Sequence, residues 1–511
     1  MNLPSPQKVS VCSLATWRLI GLVSLVLGVY ILTAQRGVSW QDSGEFQYRV
    51  LVHDYFWISG IARAHPAYIA GAELFVSLFP KTHFFYALNL FSGLGMSLAL
   101  LLLVRLFALM QFKTSTAILA VLTLGLSHMA WWLSTVAEVY TWSLALLMAE
   151  VLCLLNICKL KDDKALTHIT AWGALAMLNG FHASLHNFAF LNLPIYSILF
   201  VYLYAKKGFL QAAYTLFSAA CFWLLGACLL LTLFQLEWAT TQSFAATLRS
   251  LLFGYDYSAV VVGTRFINWP LAKMNLALAS ISFLNPLWLF AGLAGRTRTQ
   301  YACFKMALLG LTVIHAVFWI RYFVPDQATF ILPSLALLTI WVGIGLDSAK
   351  VQRKYVILLC SVIIVTSITT PVLIQKLLQT QHGMVKRLRE LPFREENSYW
   401  LFPWKNNEHS AARFVDHVCA ILKVGDVLIA DNTAAGPIMA AQAAGLLSAN
   451  IRIMAFSTDA TAEEVYHLIK ADKRVYIVSP VAGYASSALL TGQFTFEKED
   501  VLYRIRSVRH E

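Results

Sequence analysis

Long hydrophobic runs with few or no charges dominate the polarity pattern. Such runs occur near 19–35, 84–104, 114–136, 139–158, 168–183, 187–205, 208–236, 274–295, 302–320, 327–346 and 355–375. Crossing about 30 Å of hydrocarbon takes roughly 20 helical residues, so the pattern predicts about eleven transmembrane helices. Pro66 to Pro80 is also apolar, but it holds only 15 residues and carries Glu73. It reads as a helix lying at the membrane interface. Beyond residue 377 the pattern changes. Val427-Leu428-Ile429-Ala430, Ile451 to Phe456 and Val475 to Ser479 read as strands, separated by helical stretches at 433–446 and Thr461 to Ala471. That alternation predicts a small parallel α/β domain. Asp431-Asn432-Thr433, after the first strand, reads as a strand-to-helix turn with an Asn or Thr cap in preference to a ligand-binding turn.

The expected architecture is therefore an all-α polytopic membrane protein over residues 1–377 with a small α/β domain over 378–511. Composition agrees, with 58% hydrophobic and 13% charged residues and a mean hydropathy of +0.64. These values exclude an ordinary soluble protein. The first apolar run follows Lys8 and Arg18 and lacks a clear small-residue cleavage site, so it reads as a retained span. Seven of the eight cysteines lie in or beside apolar segments, in no disulfide or metal-ligand pattern.

The net charge of +12 raises the question of a nucleic-acid partner. Its distribution argues against one. Residues 378–511 hold 15 basic and 15 acidic residues, so the excess belongs to residues 1–377, with 24 basic and 12 acidic. If 66–80 stays on the surface, fifteen basic residues of short loops and span ends share one side and eight occupy the other. The positive-inside rule then makes the first side cytoplasmic. Loop 36–83, the turn at Glu138, loop 235–273, the turn Arg321 to Asp326 and the C-terminal domain fall on the extracytoplasmic side. So do eight of the twelve acids of residues 1–377. Chemistry is expected on that face.

Asp42 and Glu45 stand three residues apart and would share a helix face. They fit a capping box as readily as a catalytic pair. His65-Pro66 follows in the same loop, and Glu138-Val139-Tyr140 opens the fourth span. Arg321-Tyr322 and Asp326-Gln327 bracket Pro325, and Arg321 suits either a lipid phosphate or Asp326. Glu150 lies within a span, where pairing with Lys159 is the expected structural role. His182 and His186, at i and i+4, read as packing residues instead of metal ligands.

Together, Trp40-Gln41-Asp42-Ser43-Gly44-Glu45-Phe46, His65-Pro66-Ala67-Tyr68, Ala137 to Tyr140, Trp238 to Tyr257, and Arg321 to Gln327 with Leu332-Pro333 resemble one family. It is a family of bacterial membrane proteins related to the protein O-mannosyltransferases, within the GT-C superfamily. The resemblance covers most of residues 18–346. It implies a GT-C-like fold and a glycosyltransferase that moves a sugar from a polyprenyl-phosphate donor to an acceptor hydroxyl. Asp42 would be the general base, with Glu45 beside it in the catalytic pair. Glu45 and His65 would orient donor or acceptor. Arg321 and Tyr322 would stabilise the departing phosphate, and Glu138, Tyr140, Asp326 and Gln327 would complete the substrate-binding set. The resemblance implies no metal and no cofactor beyond the lipid-linked sugar, with a protein, lipid or glycan as acceptor.

Two other classes fit a polytopic chain: a transporter or flippase of a lipid-linked precursor, and a noncatalytic envelope assembly protein. No internal repeat is evident, and the acids gather in outer loops and not at span centres, which favours an enzyme. No Asn-x-Ser/Thr sequon occurs in the outer loops or tail. A bacterial inner membrane with the C-terminal domain in the periplasm is the expected location.

Overall fold

The computed structural model describes residues 14–160, 165–205, 207–255, 269–296, 301–324, 326–380, 391–455 and 460–508. Among these residues six helices are long and apolar enough to cross a membrane: Lys81–Leu109, Tyr140–Lys159, Phe209–Gly226, Ala302–Arg321, Gln327–Ser348 and Lys354–Leu378. Shorter apolar helices such as Trp17–Thr33, Thr114–Gly125 and Ala189–Tyr204 pack among them. This is a multi-pass membrane protein.

Three of the eleven expected spans are not single helices. Run 274–295 divides into Ala272–Ile281 and Pro286–Ala294, bent by 90°. Pro286 disfavours helical geometry at Asn285 just before it. Run 114–136 divides into Thr114–Gly125 and His128–Leu133. Run 208–236 divides into Phe209–Gly226 and Cys228–Thr241, where Gly226 lies against the helix Ala165–Leu185 so closely that a methyl group would come 2.9 Å from the Phe181 nitrogen. Hydropathy measures burial or lipid contact, and it does not register such breaks. Pro66–Val76 is a helix of 11 residues, too short at about 1.5 Å per residue to cross a bilayer.

The C-terminal sheet has five strands: β1 (Val427–Ile429), β2 (Arg452–Met454), β3 (Val475–Ile477), β4 (Phe494–Glu499) and β5 (Leu502–Ser507). Their spatial order is β2-β1-β3-β5-β4. β1 pairs parallel with β2 and β3, while β5 runs antiparallel to both β3 and β4. The sheet is therefore mixed, which corrects the expected parallel domain. The missed strands, Phe494 to Glu499 and Leu502 to Ser507, mix apolar with polar and charged residues. They pair as a hairpin at the sheet edge, a position that tolerates charge.

The tail is not a free appendage. One buried cluster runs from Tyr30 and Trp40 through Trp132 to Trp400, Phe414 and Ile438. A separate cluster holding Ile429, Val465, Val475 and Ile505 joins the sheet to the helix Ala462–Lys470. Trp40 stacks on Phe414 with ring centres 5.1 Å apart, and its indole N–H donates to Ser410 Oγ at 2.7 Å. Trp132 stacks on Trp400 at 5.2 Å, and the Thr135 hydroxyl donates to the Pro403 carbonyl at 2.8 Å.

Candidate active site

Asp42 and Glu45 sit in the helix Gln41–Val52. Gln41 has φ 58° and His65 has φ 47°, left-handed geometry that non-glycine residues adopt at a cost of order 1–3 kcal/mol and that clusters at functional sites. Gln41 opens the Asp42 helix, and His65 stands directly before the helix that begins at Pro66. No capping box forms here. The N-cap is Trp40, which makes no side-chain cap bond. Instead both carboxylates turn to Arg63, whose Nη2 lies 3.3 Å from Asp42 Oδ1 and 3.0 Å from Glu45 Oε2.

Arg63 is itself held by Arg49, one helical turn beyond Glu45. The buried Arg49 guanidinium donates to the carbonyl of Arg63 at 2.9 Å, to that of Ala64, and to that of Asp54 at 3.3 Å. The loop is anchored from outside as well. The Ile61 N–H donates to Ser250 Oγ at 3.0 Å, and that hydroxyl donates to Glu237 at 3.0 Å. Gly60, with φ 98°, permits the close approach to Gly254 that this contact requires.

A cavity of about 270 Å³ opens beside Arg63 and is lined by Asp42, Glu45, His65, Tyr140, His186, Tyr322 and Asp326 with several aromatic residues. Burial pushes the Glu45 carboxyl up to about 7, with Arg63 opposing the shift. Burial also pushes His65 down to about 3, so its ring is neutral at neutral pH. Its Nδ1–H donates to the Leu185 carbonyl at 2.9 Å, and the ring stacks on His186 at 5.0 Å.

A second cavity of about 120 Å³ shares Asp42 and Asp326 with the first. Its walls include Ser43 and Glu138 from the membrane part and Trp400, Asn432 and Thr433 from the tail. The Ser43 hydroxyl donates to Glu138 Oε1 at 2.8 Å. Burial, reinforced by the nearby Asp42, raises the Glu138 carboxyl well above the usual carboxylate range.

Most of the chain superposes on ArnT from Cupriavidus metallidurans bound to undecaprenyl phosphate. The TM-score is 0.58 at 11% identity, covering 96% of this chain and 98% of that one. The apo structure of the same protein gives 0.54 at 12% identity with the same coverage. This chain shares the fold of that protein. No family model and no curated protein matches the sequence, so the resemblance to the O-mannosyltransferase-related branch rests on its motifs.

Within this chain, Asp42, Glu45, His65, Tyr140, Tyr322 and Asp326 share the larger cavity, and Glu138 lies on the smaller one. Two expected residues lie elsewhere. Arg321 ends the helix Ala302–Arg321, exposed, and lines neither cavity. Gln327 is buried, and its amide donates to the carbonyls of Trp319 at 2.8 Å and Ile320 at 3.2 Å, closing the end of that same helix. Pro325 and Asp256 lie outside the described residues.

The cap of the tail helix Asn432–Ala443 is Asp431, whose side chain accepts from the Thr433 N–H at 3.1 Å; this corrects the expected Asn or Thr cap. Glu150 does not pair with Lys159, whose ammonium donates to the Leu109 carbonyl. It accepts from His182 at 2.7 Å, Asn192 at 2.9 Å, Asn179 at 3.2 Å and Tyr196, a buried network between helices. Among the described residues no group of three or more His, Cys, Asp or Glu is placed to hold a metal ion.

Arg63 is a lining residue that sequence reading missed, while His186, read as packing, and Asn432 and Thr433, read as a turn, line the cavities too. Arg63 stood only two positions before His65 in the loop already singled out. Asn432 and Thr433 carried only a weak signal, because their part in the cavity depends on how the tail docks.

Proposed function

We propose that this protein is a membrane glycosyltransferase that moves a sugar from a polyprenyl-phosphate donor to an acceptor hydroxyl. One observation carries the reading: a half-exposed carboxylate, Asp42, stands between a cavity that contains an arginine and a second that does not. The GT-C fold, shared with a protein solved bound to undecaprenyl phosphate, supports it.

The donor phosphate lies in the larger cavity against Arg63, the role the sequence suggested for Arg321. Asp42 accepts the proton of the acceptor hydroxyl as the hydroxyl oxygen bonds to the anomeric carbon. The bond from that carbon to the phosphate oxygen breaks, and its electron pair leaves with the polyprenyl phosphate. Arg63 meets the negative charge that builds on the leaving group. Asp42 then loses its proton to water. His65, neutral, and Tyr140, Tyr322 and Asp326 orient the sugar by hydrogen bonds. The lipid-linked sugar is the only co-substrate in this scheme, and a guanidinium supplies the positive charge. The resemblance to O-mannosyltransferase relatives supports transfer to oxygen, and basic residues concentrated on the opposite side support a periplasmic site in a bacterial inner membrane.

The test compares polyprenyl-phosphate sugars and envelope glycans by mass spectrometry in cells lacking the protein and in cells carrying it. One lipid-linked sugar accumulates in its absence and one glycan loses a residue. Identical lipid and glycan profiles would overturn the reading.

A further inference from the structure

The two cavities that share Asp42 and Asp326 differ in charge and in their walls. Arg63 lines the larger one. Among the described residues, no lysine or arginine lines the smaller one, whose polar wall comprises Gln41, Ser43, Glu138, Thr329, Asn432 and Thr433 beside the two shared aspartates. The rest of that wall is aromatic: Trp40, Trp132, Tyr399 and Trp400. Arg63 reaches the shared Asp42 from the larger cavity, and Arg394 and Lys405 lie against these rings without lining the smaller one. Arg394 stacks at 3.6 Å from the Tyr399 ring centre and pairs with Glu396, and Lys405 donates to the Tyr399 carbonyl.

We propose that the smaller cavity is the acceptor site and that it takes a neutral carbohydrate, so that the enzyme extends a sugar chain at a sugar hydroxyl. The proposal rests on the glycosyl-transfer reading above. Carboxylate, amide and hydroxyl groups beside indole and phenol rings match a pyranose, whose hydroxyls radiate from an apolar C–H surface. An anionic acceptor, such as a phosphorylated sugar, a uronic acid or an acidic peptide, would place like charge beside Asp42 and Asp326 with no cation on the wall, which excludes it. A serine or threonine side chain brings one hydroxyl and little apolar surface, and it would leave most of this polar wall unmatched. The tail contributes the far side of the site: Asn432 and Thr433 open the helix Asn432–Ala443, which is docked directly on the Asp42 helix. The acceptor therefore binds between the membrane part and the tail, and one of its hydroxyls gives its proton to Asp42 as the glycosidic bond forms.

The test uses the full chain in lipid nanodiscs and saturation-transfer NMR with three sets of probes. The first is a panel of methyl glycosides of mannose, glucose, galactose and N-acetylglucosamine; the second is methyl glucuronide; the third is a neutral serine-containing hexapeptide. At least one neutral glycoside receives saturation, while glucuronide and peptide do not. In the double variant Asn432→Ala, Thr433→Val the glycoside signal falls by about fivefold or more, as expected when two hydrogen-bonding side chains are removed. Binding of undecaprenyl phosphate, measured separately on both proteins, reports on the larger cavity and on folding of the variant. Signal from the glucuronide or the peptide with all four neutral glycosides silent overturns the proposal, and so does a glycoside signal that the folded double variant retains in full. The probe comparison on the unmodified chain decides the matter even if the variant does not fold. Failure of undecaprenyl phosphate to bind the unmodified chain would instead strike the donor reading, leaving the glycoside result to stand by itself.

Discussion

Gly44 and Gly436 meet backbone to backbone where the helix Gln41–Val52 crosses the helix Asn432–Ala443. A methyl group on Gly44 would fall 2.8 Å from the Gly436 carbonyl carbon, and one on Gly436 would fall 2.6 Å from the Gln41 oxygen. The glycine inside the Asp-Ser-Gly-Glu motif is thus the seat of the tail, and the helix that bears Asp42 is held in place by residues almost 400 positions later in the chain. Gly44→Ala and Gly436→Ala should each destabilise the protein by about 1–3 kcal/mol or more, because backbone cannot give way as a side chain can. Thermal unfolding in detergent checks this, and an unchanged midpoint for both variants would show that the crossing is looser than described.

Arg63 binds the donor phosphate in this account and Arg321 does not. Arg63→Gln should weaken undecaprenyl phosphate binding by about 30-fold or more, the scale set by removing one partner of a buried charge pair. Arg321→Gln should change it by no more than about twofold, as expected for an exposed charge. Equilibrium binding in nanodiscs measures both, and the reverse order of effects would return the phosphate to Arg321.

Glu45 gives the donor site a pH dependence. Its carboxyl, pushed up to about 7 by burial, is largely neutral below that pH and charged above it. Once charged, it draws on Arg63, 3.0 Å away, and repels the phosphate. Undecaprenyl phosphate affinity should therefore fall as pH rises through 7, over and above any change from the phosphate's own titration. Glu45→Gln lacks that fall, so the ratio of the two affinities isolates it. A ratio that stays flat from pH 6 to 8 would remove Glu45 from the donor site.

Lys405 makes a separate prediction about stability. Burial pushes its ammonium from the usual 10.5 down to about 7. Between those values the unfolded chain binds more protons than the folded one, so stability rises with pH across that window, by at most about 1.4 kcal/mol per pH unit. Below pH 7 both states are protonated and the contribution is constant. Relative to Lys405→Met, the unmodified protein should therefore gain stability from pH 7 to pH 9, which unfolding midpoints measured at both pH values would show. Parallel midpoints would mean that Lys405 stays charged in the folded state.

Much of this was legible in the chain. The apolar runs identified the membrane part, because a run's hydropathy reports directly on what surrounds it. Asp42, Glu45, His65, Tyr322 and Asp326 were named from loops that the polarity pattern had isolated and Tyr140 from the start of a span, and they meet in one cavity. The sequence failed wherever a residue's role depends on a contact distant in the chain. Gln327 resembled a ligand group and instead closes a helix end. Glu150 was matched to Lys159 by proximity along its helix, yet its partners come from two other helices. The hairpin strands β4 and β5 were hidden by their charged residues, and Gly44 gave no hint that another glycine rests on it.

The central claim is that Asp42 takes the acceptor's proton. It is tested most directly by measuring turnover of the accumulated lipid-linked sugar in cells carrying Asp42→Asn, with undecaprenyl phosphate binding to the purified variant as the control for folding. Asparagine keeps the shape but cannot accept the proton, so turnover should fall by about 100-fold or more, the scale of a lost general base, while binding persists. Turnover at the unmodified rate, in a variant that still binds undecaprenyl phosphate, would contradict the account.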